Sequence, residues 1–239
     1  MTPRNRSARI AGLLYLLVII AAPIRLVYIP ATLFVTGDAT ATVANITAHE
    51  TLFRFGMFSD MASGVLMLFL TLAFYRLFAQ VDRKLATLMV ILGGILPATL
   101  YFFNVLNDVA VLLIARGPDF LSVFDKPQRD ALALLFLKLH GQEIGAAMVF
   151  WGLWLLPLAL LVLRSGFLPK VFGWGLILNG LAYLAQSITW SALPQLDDLV
   201  TRIATPLQFI EILFMLWLLV FGARRTLRRT PAMLPAAST

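Results

Sequence analysis

The segment His140-Gly141-Gln142-Glu143 carries the sharpest chemical signal in the chain. Its imidazole and carboxylate are three residues apart, so a helix presents both on one face. Ferritin-like bundles build metal centres from the reverse order, Glu-x-x-His. Asp108 is a candidate third ligand, and one imidazole among carboxylates suits Zn, Mn or Fe. Against that, the chain holds only two His, and the other, His49, falls in a connection between apolar stretches. A lone His beside a carboxylate is expected to close a hydrogen-bonded network instead. No cofactor is therefore expected, and a divalent metal at His140, Glu143 and Asp108 is the alternative. Cys is absent, which removes thiolate ligands, a Cys nucleophile and disulfides. No Walker loop, dinucleotide fingerprint or haem-attachment motif occurs.

The elements that must position these groups are long and apolar. Hydrophobic residues make up 60% of the 239, and charged residues only 13%. A soluble domain carries about 25% charged residues. About six apolar stretches reach the ~20 residues that an α-helix needs to cross a bilayer. They lie near residues 10–29, 55–78, 85–115, 131–163, 171–193 and 203–223. The expected fold is all-α, a polytopic membrane helical bundle of about six transmembrane helices in one domain, 1–224. Residues 225–239 follow as a basic and then flexible tail. The first stretch begins like a signal peptide, but it runs on past Pro23 to Tyr28 with no polar segment after a plausible cut, so a retained anchor is expected. Gly37-Asp38 marks a helix start in the first long connection, where Val43, Ile46 and Phe53 recur at helical spacing and predict a short surface helix.

The net charge of +7 follows topology. Arg4, Arg6, Arg9, Arg76, Arg83, Lys84, Arg164, Lys170, Arg224, Arg225, Arg228 and Arg229 all fall on one side of a six-span chain. Seven loop acids, among them Asp38, Glu50, Asp119 and Asp197, fall on the other. The excess of Lys and Arg marks the first side as cytoplasmic, with both termini inside. Membrane lipids are the expected partners, and nucleic acid is not, because topology accounts for the basic charge.

Ionisable groups at membrane depth are costly and mark candidate sites. Counting from the basic end of each span at about 1.5 Å per residue puts Arg25, Asp60 and Gln186 roughly 24 Å up and Glu211 roughly 20 Å up. Asp108 and His140 come out at roughly 36 Å, and Glu143 at roughly 32 Å. Asn104, Asn107 and Asp108 share a helical face, as do Gln208 and Glu211. Polar faces at matching heights are best satisfied by one another, since lipid offers no partners. The expectation is an outward-facing polar cavity formed by Arg25, Asp60, Asn104, Asp108, His140, Glu143, Gln186 and Glu211, with Arg25 paired to Asp60, Glu211 or both. Gly93-Gly94, Gly56 and Gly64 are expected at close helix contacts. Trp151, Trp154, Trp174, Trp190 and Trp217 are expected at interfacial belts or bundle contacts.

Several segments resemble a known family. ARIAGLLYL at Ala8–Leu16, HETLFRFG at His49–Gly56, DALALLFLKLHGQ at Asp130–Gln142, FWGLWLLPL at Phe150–Leu158 and SGFLPKVFG at Ser165–Gly173 look like the bacterial domain-of-unknown-function family 4386. The resemblance implies a bacterial integral membrane protein of undefined activity and supplies no site residues. The functional expectation is thus an inner-membrane protein whose cavity binds a small molecule or lipid. A membrane-embedded metal-dependent enzyme using His140, Glu143 and Asp108, and a ligand-free sensor or assembly subunit, are the alternatives.

Overall fold

A computed structural model of the chain describes residues 3–223. The basic tail expected from 225 onward, with Arg224, lies outside the described residues. Those described are almost wholly helical, with no strand among them. Six helical segments are long and apolar enough to cross a membrane: Pro3–Leu33, Glu50–Phe78, Arg83–Arg116, Lys126–Ser165, Lys170–Ala192 and Pro194–Val220. Each matches one of the expected spans, and most run several residues further into their connections. Large apolar side chains such as Leu13, Phe58, Phe103, Leu178 and Ile203 face outward, a surface that suits lipid.

The first span is α1 (Pro3–Pro23), a π-helical turn at Ile24–Tyr28 and α2 (Ile29–Leu33). α3 (Ala39–Ala48) is the expected short helix, capped by Asp38, whose carboxylate accepts from the Ala41 N–H at 2.8 Å. α4 (Glu50–Phe78) is the second span, and it takes Phe53, expected on the short helix, because that helix stops at Ala48. The third is α5 (Arg83–Val90), a second π turn at Ile91–Ile95 and α6 (Leu96–Arg116). α7 (Lys126–Ser165) opens with a capping box between Asp125 and Gln128 and closes at Gly166, whose φ of 69° suits a residue without a side chain. α8 (Lys170–Ala192) and α9 (Asp197–Val220) complete the bundle.

Both π turns adjoin a proline. Pro30 stands two residues after the first, and Pro97 two residues after the second. Proline has no N–H and disturbs the carbonyl four residues back, so the ladder re-registers there. In each turn the bond runs over five residues, from the Ile29 N–H to the Ile24 carbonyl and from the Leu96 N–H to the Ile91 carbonyl. The first turn contains Arg25, and the second precedes the polar face of α6.

Small residues let the helices approach, as membrane bundles require. A Cβ on Gly93 would sit 2.8 Å from the Trp154 ring, and one on Gly152 would sit 2.6 Å from the Gly180 carbonyl. Gly56 and Gly64 lie against Ile29 and Tyr101 in the same way. The termini meet at one end of the bundle. Arg9 donates to the Val220 carbonyl at 2.9 Å, and the Asn5 side chain accepts from the Ala223 N–H at 3.1 Å. The half of the bundle nearer this end is filled by an aromatic core of Tyr15, Phe74, Phe78, Trp154, Phe172 and Phe214. The far half holds the Arg25–Asp108 pair and a second apolar cluster that includes Ile29, Phe53 and Val111.

Candidate functional site

Two polar clusters occupy the interior, on different helices from those expected. In the first, Arg25 is 1% exposed and makes a bidentate pair with Asp108, Nε to Oδ2 at 2.8 Å and Nη2 to Oδ1 at 2.6 Å. Its guanidinium also lies over the rings of Phe34 and Phe53. His140 stands between two carboxylates. Its Nδ1 is 3.4 Å from Asp108 Oδ1, and its Nε2 is 3.6 Å from Asp60 Oδ2. Neither contact has hydrogen-bond geometry, and both buried ring nitrogens lack a hydrogen-bond partner. Asn104 donates to the His140 carbonyl at 3.1 Å, and Asn107 bridges Asn104 and Glu143.

The second cluster centres on Glu211 of α9. The Tyr15 hydroxyl and Asn179 Nδ2 donate to its carboxylate, the latter at 2.7 Å, and the Tyr183 hydroxyl reaches the same group. Separately, Gln208 donates to Gln186 Oε1 at 2.9 Å, joining α9 to α8.

The expected partners of Arg25 are therefore corrected: neither Asp60 nor Glu211 pairs with it, and Asp108 does. The reason is the reference from which depth is counted. α1 begins at Pro3, and Arg4 lies over Phe167, which stacks on Phe78 at the end of α4. Counting from Arg9 instead of Pro3 starts six residues, roughly 9 Å, too far along the helix. Arg25 thus rises to the level of Asp108, and the two expected tiers merge around it. Glu211 does not rise with it. Val220 lies opposite Arg9, so Glu211, nine residues earlier, falls nearer Tyr15 than Arg25.

The eight expected site residues thus divide three ways. Arg25, Asp60, Asn104, Asp108, His140 and Glu143 assemble in one cluster, Glu211 belongs to another, and Gln186 pairs with Gln208. The expected ligand set also shifts. The three groups whose ligand atoms lie within 4.8 Å of one another are Asp60, Asp108 and His140, all buried. Glu143 is not in that group. Tyr15, Tyr101, Asn179 and Tyr183 had no signal in the sequence beyond a polar atom within an apolar run.

A cavity of about 380 Å³ lies between the clusters. Asp60 and Asn104 line one side and Glu211 and Gln208 another, with Trp151, Trp154 and Tyr101 among the walls. Its lining includes exposed residues of two helices only: Pro23 and Leu26 on the first span, and Thr205 and Phe209 on α9. The mouth is therefore lateral, between the first π turn and the stretch of α9 around Pro206, and not outward-facing as expected, because only these two spans part along their length. Below it the same two spans close up, with a Cβ on Gly12 falling 2.7 Å from the Leu219 backbone nitrogen.

No curated protein and no solved structure matches the chain detectably. Residues 10–222 match the family described as Domain of unknown function (DUF4386), and this six-span chain, matched over nearly its whole length, belongs to that family.

Proposed function

We propose that this protein is a membrane-embedded binding protein that takes a small amphiphile or lipid into its central cavity. The carrying observation is the cavity of about 380 Å³ with polar groups on opposite sides and a mouth between α1 and α9. Its volume falls in the usual range for small-molecule sites, about 300–1,000 Å³. A lateral mouth favours ligands already dissolved in the bilayer. The protein sits in a bacterial inner membrane with both termini cytoplasmic, a reading supported by the basic residues in alternate connections. Mass spectrometry of protein released from membranes tests the function. Ala22 lines the cavity, and Ala22→Trp fills it. Wild-type protein should retain a small amphiphile that the variant loses. Equal recovery from both would sink the proposal.

A second reading, a metal-dependent membrane enzyme, has one supporting observation. Asp60, Asp108 and His140 are grouped at ligand distances, and the His140 ring nitrogens are free of hydrogen bonds. Asp60 takes the place that Glu143 held in the sequence-based set. The weight against it is also geometric: Arg25 already engages both oxygens of Asp108, and a cation there would compete with a guanidinium. If the trio is a metal site, Asp60→Asn and His140→Ala each abolish stoichiometric Zn, Mn or Fe. Failure of the wild-type protein to acquire any of the three on titration removes this reading.

A further inference from the structure

We propose that the cavity selects a lipophilic cation, a molecule with one ammonium-type charge on an apolar body. This rests on the reading that an amphiphile enters the cavity at all. The charged residues in its lining are Asp60 and Glu211, both acids, and among the described residues no Lys or Arg joins them. The nearby cation, Arg25, is turned into Asp108 and is not part of the wall. Six aromatic rings complete the lining: Tyr15, Tyr101, Trp151, Trp154, Tyr183 and Phe209.

Carboxylates combined with aromatic faces recognise ammonium groups. The ring face carries negative potential, and the attraction grows when water is excluded. A charge at membrane depth also needs a counter-charge, which the two acids supply. Glu211 is fixed for that role near the middle of α9, because donors from α1 and α8 converge on its carboxylate. An anionic amphiphile would meet two carboxylates and no fixed cation. An uncharged one would fill the volume without using either acid.

The ammonium could arrive on a free lipophilic amine or on a lipid headgroup. The middle of α9 lies away from the plane in which headgroups rest, which favours the free molecule.

The test uses the full-length protein in nanodiscs of phosphatidylglycerol. It is titrated separately with decyltrimethylammonium, uncharged decyldimethylphosphine oxide and decyl sulfate. Tryptophan fluorescence reports binding because Trp151 and Trp154 stand in the wall, and each affinity is referred to the ligand's measured concentration in empty nanodiscs of the same lipid, which removes the attraction of the anionic surface for the cation. The cation is expected to bind at least about tenfold more tightly than the phosphine oxide, the scale of one desolvated cation–π contact. Decyl sulfate is expected to bind more weakly than either. Equal binding of cation and phosphine oxide overturns the charge selection and leaves the amphiphile cavity standing. Binding of none of the three overturns both. Glu211→Gln, checked for folding by thermal unfolding, should erase most of the cation's advantage and leave phosphine oxide affinity unchanged. A cation preference that survives in a folded Glu211→Gln protein overturns the role of Glu211. If that variant does not fold, the wild-type titration alone decides. Repeating it in phosphatidylcholine nanodiscs separates the sources: a headgroup occupant weakens decyltrimethylammonium binding by competition, and a free-cation site does not.

Discussion

At the residue scale the decisive contact is Arg25 with Asp108. The pair is fully buried, joins the first span to the third, and has His140 and Asp60 beside it. Removing one member of such a pair leaves an uncompensated charge and costs about 3–5 kcal/mol. Arg25→Leu should therefore lower the unfolding midpoint strongly in detergent or nanodiscs. Arg25→Leu combined with Asp108→Leu should recover much of the loss, and Arg25→Leu combined with Asp60→Leu should recover less. The reverse ranking would contradict the observed pairing. That Arg25, Asp60, Asp108 and His140 would each need a polar partner inside the bundle is legible in the sequence, because lipid offers none. Which carboxylate meets the arginine is not. That choice depends on where each helix starts, and the first starts at Pro3 rather than beside Arg9.

At the scale of elements, helix contact depends on a few glycines and two proline-linked π turns. Gly93 lies under the Trp154 ring, where a Cβ would meet ring atoms at 2.8 Å. Gly93→Val should overpack this contact between the second π turn and α7 and cost about 1–3 kcal/mol. Gly141, on the same α7 helix, has open space where its Cβ would be. Gly141→Ala should be neutral or stabilising by up to about 1 kcal/mol, since alanine is the better helix former. Denaturation of both variants in one detergent makes the comparison, and equal losses would argue against the observed α7 packing. The Gly93-Gly94 contact is visible in the sequence as adjacent small residues inside a span. The π turns are not. Pro30 and Pro97 announce a disturbed ladder, but whether it bends, breaks or adds a residue depends on what packs against it.

At the scale of the whole molecule, topology is the first matter to test. A chain without Cys accepts single probes anywhere. With the proposed orientation, a Cys at Ser122, exposed between α6 and α7, reacts with an impermeant thiol reagent on intact cells. A Cys at Gln80, exposed between α4 and α5, does not. Labelling of the Gln80 probe alone would invert the bundle. The sequence by itself determined that this is an all-helical bundle of six spans, because bilayer thickness sets a run length that composition must satisfy. It also singled out most of the ionisable groups that lie inside, since each interrupts an apolar run, but not Asp130, which is buried near the start of α7. The tertiary structure alone decided that those groups separate into an Arg25–Asp108–His140–Asp60 cluster and a Tyr15–Glu211–Asn179 cluster with a laterally open cavity between them. Periodicity defines the face of a helix, whereas pairing across helices depends on their relative shift and on the shape of their irregular turns. Those are set only when all six spans pack together.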